Sequence, residues 1–227
     1  MYIGPKIFHE FGGLAGLKAA DIDALFKGAG FDRLVLAGGG VPRDTLSLFL
    51  EVLSEAQGNG DGRIGKDDVR ILSKANFERR IEELKHDSGA AQQEPLIKGI
   101  YVIRSFCLDK KTNVFLVSER TLQQNDEFRG LIYRLLDYRI IHSGAAALSH
   151  KSREGTYQAF AIDIGCYAHL RKRQGKLNEI DLSATDAKEK LRSAPLLNSD
   201  ALIEGFVKVP ADAEARLTAD ETEAKVD

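Results

Sequence analysis

The chain is short of several things, and each shortage removes a class of function. It has two cysteines in 227 residues, Cys107 and Cys166. Each sits among apolar neighbours (Ile103, Phe106 and Leu108; Ile162, Ile164 and Tyr167), which reads as a buried, reduced thiol rather than a disulfide or a reactive site. The five histidines (His9, His86, His142, His150, His169) are scattered, none at metal-ligand spacing from a second ligand. His142, after two isoleucines at a strand end, reads as structural. There is no nucleophile elbow and no Ser/His/Asp or Cys/His grouping, which argues against the commoner hydrolytic chemistries. The formal net charge of −2 excludes only a strongly basic or strongly acidic protein. No apolar run approaches membrane length, and no cationic leader precedes an apolar core at the N-terminus. A soluble, cytoplasmic protein without a membrane partner is therefore expected. No internal repeat is present.

What the chain does have is apolar content, 43% by residue, enough to core one large domain or two small ones. Its charge is also unevenly spread. Residues 95–176 carry fourteen Lys/Arg against seven Asp/Glu, a local +7, which leaves −9 for the remainder. Such asymmetry suggests a polyanion-facing module beside acidic flanks.

Read for periodicity, the chain changes character midway. Short helical patterns over 14–36 lead to Gly38-Gly39-Gly40. An apolar helix follows, with Leu46, Leu48, Phe49, Leu50, Val52 and Leu53, ending near Glu55-Ala56. After the loop 57–65, Asp67-Asp68 open another helix with Val69, Ile71, Leu72, Phe77, Ile81 and Leu84 on its apolar side. The polar stretch 86–93 reads as a linker. Beyond it come a helix over 96–108, a buried strand over 113–117, and a helix with Phe128, Leu131, Ile132, Leu135 and Leu136 at spacings of three and four. A strand starts at Ile140, a cationic hairpin-like excursion spans 143–155, and a further strand spans 156–164. Helix, strand, helix, strand, loop, strand is the order of a winged helix, with a short helix before 126. The expected fold class is mostly α with a small β component. The expected boundaries are a helical domain over 1–88, a winged-helix domain over 94–176, and an acidic, partly disordered tail over 177–227, with Ala211–Asp227 disordered.

The stretch Gly38-Gly39-Gly40-Val41-Pro42-Arg43-Asp44 carries the most chemistry. Glycines permit a tight or left-handed turn, and Pro42 suits the first helical position, where its missing N–H is no loss. The free amides of that first turn sit beside Arg43, so the place favours an anion, phosphate included. An ordinary helix start with a solvated arginine is the plain alternative.

Two motifs in the next loop mislead. Residues 60–67 fit the phosphate-binding P-loop pattern at Gly60, Gly65 and Lys66, but Asp67 stands where Ser or Thr must bind magnesium, and the loop leaves a helix rather than a strand. The same loop resembles an EF-hand, with Asn59, Asp61 and Gly62 in the third, fifth and sixth places and Ile64 in the eighth. Gln57 in the first place lacks a charge, Asp68 in the twelfth is one methylene short of glutamate, and Arg63 and Lys66 add positive charge. No metal site is expected, and Asn59, Asp61 and Asp68 are weak candidates only.

The glycine turn, Pro-Arg-Asp and the apolar helix resemble the lid of AAA+ ATPases of the origin-recognition type. Gly62-Arg63-Ile64 followed by Asp68-Val69 looks like the start of the next lid helix. The second half is similar to the winged-helix domain of that family, through Asn113-Val114-Phe115-Leu116-Val117, Leu136-Asp137-Tyr138-Arg139-Ile140-Ile141-His142, and Tyr157 to Asp163 with Tyr167. The resemblance covers roughly residues 20 to 170 and rests on loose motifs. It implies a helical lid-like bundle followed by a winged-helix domain. It also implies that Arg43, with Gly39 and Gly40, is the nucleotide-sensing element called sensor two, reaching the terminal phosphate of ATP. The family's P-loop core would precede residue 1 and is missing, so no catalytic residue and no ATPase activity are expected of the chain alone. ATP and Mg enter only with a core supplied elsewhere.

A winged helix reads duplex DNA with its second helix and its wing. The candidate DNA contacts are Arg129, Tyr133 and Arg134 on that helix, His150, Lys151 and Arg153 on the wing, and Arg171, Lys172 and Arg173 beyond the last strand. Asp126, Glu127 and Asp137 dilute their charge. The leading expectation is a non-catalytic lid plus winged-helix protein with two partners, DNA and an AAA+ core domain or other protein. The alternatives are a protein-interaction or regulatory module without nucleic acid, and a calcium-responsive helical protein. Cations gathered on one face would favour DNA; scattered ones would favour protein.

Overall fold

The computed structural model describes residues 9–10, 12–14, 16, 18–58, 62–87, 89–170 and 177–218. It is mostly helical with one small antiparallel sheet, the fold class expected. The first half is a helical bundle: α1 (Ala19–Ala24), α2 (Gly30–Ala37), α3 (Pro42–Gly58) and α4 (Lys66–Asp87). Leu34, Leu48, Val52, Val69, Phe77 and Ile81 from three of these helices form its core. Ile71, expected on the apolar side of α4, is instead 56% exposed, because it lies about 100° round the helix from Leu72.

The second half runs α5 (Ala90–Asp109), β1 (Val114–Ser118), α6 (Glu119–Gln124), α7 (Asp126–Asp137), β2 (Ile141–Ser143), β3 (Leu148–Ser149) and β4 (Thr156–Ile162). The sheet order is β1-β4-β2, with β3 also paired to β4 and every pairing antiparallel. The elements follow the helix, strand, helix, strand, loop, strand order expected of this half, with residues 144–155 forming the excursion (the wing) before β4. Helix α7 forms where the periodicity placed it. The Asn125 side chain accepts a hydrogen bond from Phe128 N at 2.9 Å, capping the helix, and Phe128, Ile132 and Leu135 are buried. The apolar core is continuous from Ile22 to Leu217 and includes residues on both sides of position 88.

Two expectations need correction. The stretch 86–93 is not an extended linker. Helix α4 continues through Asp87, Gly89 takes the N-cap of α5, and Gln92 N donates to Gly89 O at 2.8 Å. Ala90, Gln92 and Gln93 are good helix formers, so α5 starts directly after the glycine.

Residues 177–218 are not a tail either. They contain α8 (Ala187–Leu191), α9 (Ser199–Val207) and α10 (Ala213–Thr218). Side chains of a strand alternate between two faces. Phe115, Val117, Phe160 and Ile162 face the helices, while Val114, Leu116, Ala159 and Ala161 face Ile180, Ala187, Leu191 and Ala194. The C-terminal segment therefore covers the sheet's second face. It also covers the free edge of β1, through Leu116 N to Pro195 O and Leu197 N to Leu116 O, both 2.8 Å. The expected disorder from Ala211 is overturned for α10, where Ala213 and Leu217 are buried and Lys85 bridges to Glu214 at 2.7 Å. Residues 219–227 lie outside the described residues. Among the described residues no helix is long and apolar enough to cross a membrane.

Candidate functional site

The glycine turn and the helix it opens are built as the residue order suggests. Gly39 and Gly40 have φ of +59° and +79°, the left-handed region that glycine occupies without strain. Helical bonding begins with Thr45 N to Val41 O at 3.0 Å, so the amides of Arg43 and Asp44 have no helical acceptor. Arg43 projects outward with its side chain 80% exposed, and its Nε lies 3.8 Å from Asp44 Oδ1. Asp44 behaves oppositely. Only 10% exposed, it turns away from the open amides to pair with Arg139 at 3.1 Å. The first turn thus presents an exposed cation and open amides, with its one carboxylate oxygen shared between Arg43 and Arg139, an arrangement that leaves donors for an anion.

The two glycines have a second task that the residue pattern does not reveal. A Cβ on Gly39 would overlap the His142 ring, and one on Gly40 would lie 3.3 Å from Leu182 Cβ. The turn is therefore pressed against β2 on one side and the C-terminal segment on the other.

Behind the turn lies a buried ionic seam. His142 Nε2 meets Asp163 Oδ2 at 2.9 Å, and Arg80 donates to the same oxygen at 2.9 Å. Asp163 Oδ1 accepts from Gly165 N at 2.8 Å, so both oxygens are engaged. Arg80 also donates to the Arg139 carbonyl at 2.8 Å, and the Arg139 guanidinium returns to Asp44. Burial alone would push the Asp163 carboxyl up, but the Arg80 charge and the His142 bond outweigh it and hold it below the ordinary value. For Arg80, burial opposes the charge and Asp163 outweighs it, raising the pKa. A polar cleft of about 370 Å³, lined in part by Asp44, Arg79, Arg80 and Arg139, opens beside the seam. None of Asp44, Arg80, Arg139 or Asp163 is among the candidate site residues, although Asp44, Arg139 and Asp163 lie in the motifs that carry the family resemblance. The one usable signal was Asp163, a lone carboxylate within the apolar run from Phe160 to Cys166.

In the second half the candidate cations among the described residues are dispersed. Arg129 pairs with Asp126 at 2.8 Å and donates to Leu122 O. Arg134 bonds Gln92 of α5. Five residues apart, these arginines point about 140° away from each other around α7. Tyr133 is 45% exposed, sharing its face with Asp126, Gly130 and Asp137. On the wing, Lys151 bridges to Glu189 of α8 at 2.9 Å, and this lysine holds the Glu189 carboxyl below its ordinary pKa. His150 Nδ1 accepts from Ser152 N at 3.1 Å. Arg153 is exposed. Arg171, Lys172 and Arg173 lie outside the described residues. The other flank of α7 borders an apolar cleft of about 700 Å³ lined in part by Leu96, Phe128, Leu131, Ile203 and Phe206.

Of the weak metal candidates, Asn59 and Asp61 lie outside the described residues. Asp68 Oδ2 accepts from Gly65 N at 2.7 Å, capping its own helix. The loop is anchored by Ile64, whose backbone bonds Leu25 and Lys27 at 2.7 and 2.9 Å. Among the described residues no group of three metal-ligating side chains occurs. Cys107 and Cys166 are free and buried, and burial pushes both thiols well up, away from reactivity. The chain matches no protein-family model, no curated protein and no solved structure.

Proposed function

We propose that this chain is the non-catalytic lid and winged-helix part of an AAA+ type ATPase, supplying Arg43 to the terminal phosphate of a nucleotide held by a separate P-loop core. The observation that carries this reading is the exposed Arg43 at the open start of a 17-residue helix, with the nearby Asp44 held more closely by Arg139 than by Arg43. A cation so placed adds charge where charge develops on a transferring phosphoryl group. Gly39 and Gly40 set the turn and its packing; Arg43 and the amides of the first turn make the contact. The chain alone is not an enzyme, and ATP and Mg belong to the completed assembly.

The winged-helix part is read as a protein-contacting unit, its partner the core or a neighbouring protein. Dispersed and internally paired cations, together with an apolar cleft along α7, suit a protein surface better than a phosphate backbone. Duplex DNA, gripped by Tyr133, Arg153 and the Arg171–Arg173 segment, is the second reading; the winged-helix strand order favours it.

The test is ATP turnover by a P-loop AAA+ core with and without the chain. Turnover that rises on adding the chain and falls roughly 100-fold with Arg43→Ala supports the role. Equal turnover with wild type and Arg43→Ala overturns it.

A further inference from the structure

Each of the three helices around the apolar cleft carries one glycine in its interior: Gly99 in α5, Gly130 in α7 and Gly205 in α9. Two of them are explained by packing within the chain. A Cβ on Gly99 would lie 2.7 Å from Leu131 Cδ1, and one on Gly205 would lie 2.5 Å from Val102 Cγ1. Gly130 has no such neighbour. It lines the cleft, and a Cβ there would meet nothing within 4 Å. A glycine weakens a helix interior relative to alanine, and nothing inside the chain accounts for that cost here. What glycine offers on an open helix face is room for a second backbone.

The residues around Gly130 say which backbone. Glu127 and Arg134 also line the cleft. Seven residues apart, they share one face of α7 and are separated by about 10.5 Å along its axis. Asp126 takes Arg129, and Glu127 forms no ion pair among the described residues. Arg134 bonds the neutral Gln92 side chain and, among the described residues, no carboxylate. Along the cleft the face of α7 therefore reads Glu127, Gly130, Leu131, Arg134, and this order is its own complement. Turned end for end about a point between Gly130 and Leu131, Glu127 falls opposite Arg134 and Gly130 opposite Leu131. A two-fold interface requires that match, because residue i of one copy meets j of the other while j meets i. Apolar surface lies ready beside it: Ile203, on the α9 wall of the cleft, is 60% exposed. We infer that the cleft is the docking site for a second copy of this chain, α7 packing antiparallel to its counterpart across a two-fold axis at Gly130–Leu131, with a Glu127–Arg134 ion pair at each end. This names the partner for the face read above as protein-contacting and makes no use of the role given to Arg43.

The test is sedimentation velocity of the full chain over a concentration series reaching about 100 μM. Wild type should pass from monomer to dimer, less readily as salt is raised. Gly130→Leu fills the open side of α7 with a good helix former, so it should resist urea at least as well as the dilute wild type yet remain monomeric. Arg134→Glu or Glu127→Arg alone sets like charges opposite each other at both ends and should weaken dimerisation about tenfold or more. Combining the two changes in one chain, or mixing the two single variants, should restore it, a recovery that loss of folding cannot mimic. Wild type that stays monomeric throughout, Gly130→Leu that still dimerises, or a charge-reversed chain that fails to recover overturns the pairing. A monomeric wild type that cosediments with a P-loop AAA+ core overturns the pairing alone and leaves the protein-contacting reading in place.

Discussion

The Arg43 turn and the α7–wing face make an instructive pair. The first offers one exposed arginine, the second several cations, most of which are engaged by neighbouring groups. Arg43 stands 80% exposed with a single carboxylate at 3.8 Å. On the other face Arg129 is tied to Asp126, Arg134 to Gln92 and Lys151 to Glu189. A local excess of positive charge along a chain therefore says little about what it can grip, because partners distant in sequence can use up the charges. Availability is decided by how closely the neighbouring carboxylates approach: Asp44 lies 3.8 Å from Arg43 and nearer to Arg139, whereas Asp126 and Glu189 meet Arg129 and Lys151 at 2.8 and 2.9 Å.

If the seam is what joins these two regions, its removal should have the largest effect. Asp163→Ala leaves Arg80 buried without its carboxylate partner and should cost about 3–5 kcal/mol in urea denaturation. A loss below about 1 kcal/mol would mean that the regions are held by apolar packing alone. Gly39→Ala comes next, at roughly 2–4 kcal/mol, because the methyl group adds left-handed strain and overlaps His142. Part of this should return in Gly39→Ala with His142→Ala, and no recovery would show that the ring is not what the turn packs against.

Acid should sharpen the comparison further. The folded Asp163 carboxyl lies below its ordinary value of about 3.9, so its contribution is complete at neutral pH. As pH falls below about 4 the unfolded chain takes up a proton that the folded one refuses, and stability declines. Asp163→Asn should be less stable at pH 7 and show a shallower decline below pH 4, whereas an unchanged slope would place the acid response elsewhere. The smallest effect concerns the wing. In fluorescence anisotropy with labelled duplex DNA over a salt series, Lys151→Ala with Arg153→Ala should leave the salt dependence of binding unchanged. A slope reduced by about 2 would instead establish two phosphate contacts there.

The sequence was most legible where one element explains itself. Helix α7 shows a three-four apolar spacing and an asparagine cap, and β4 an alternating run, so both lie within two or three residues of their expected places. The Arg43 turn was legible because Gly, Pro and Arg fall in helix-start order. The C-terminal segment was not, since Ile180, Ala187, Leu191 and Ala194 are sparse in the chain and become a core only against the far face of the sheet. The seam was hidden for a similar reason. Its members come from α3, α4, the turn after α7, β2 and the end of β4, and no local pattern links them.

The most direct measurement is an NMR titration of the full chain with inorganic pyrophosphate, repeated on Arg43→Ala. Arg43 supplying an anion site predicts saturable shifts at the Arg43 and Asp44 amides that disappear in the variant. Shifts that survive Arg43→Ala, or that centre on the wing around Arg153, would contradict it.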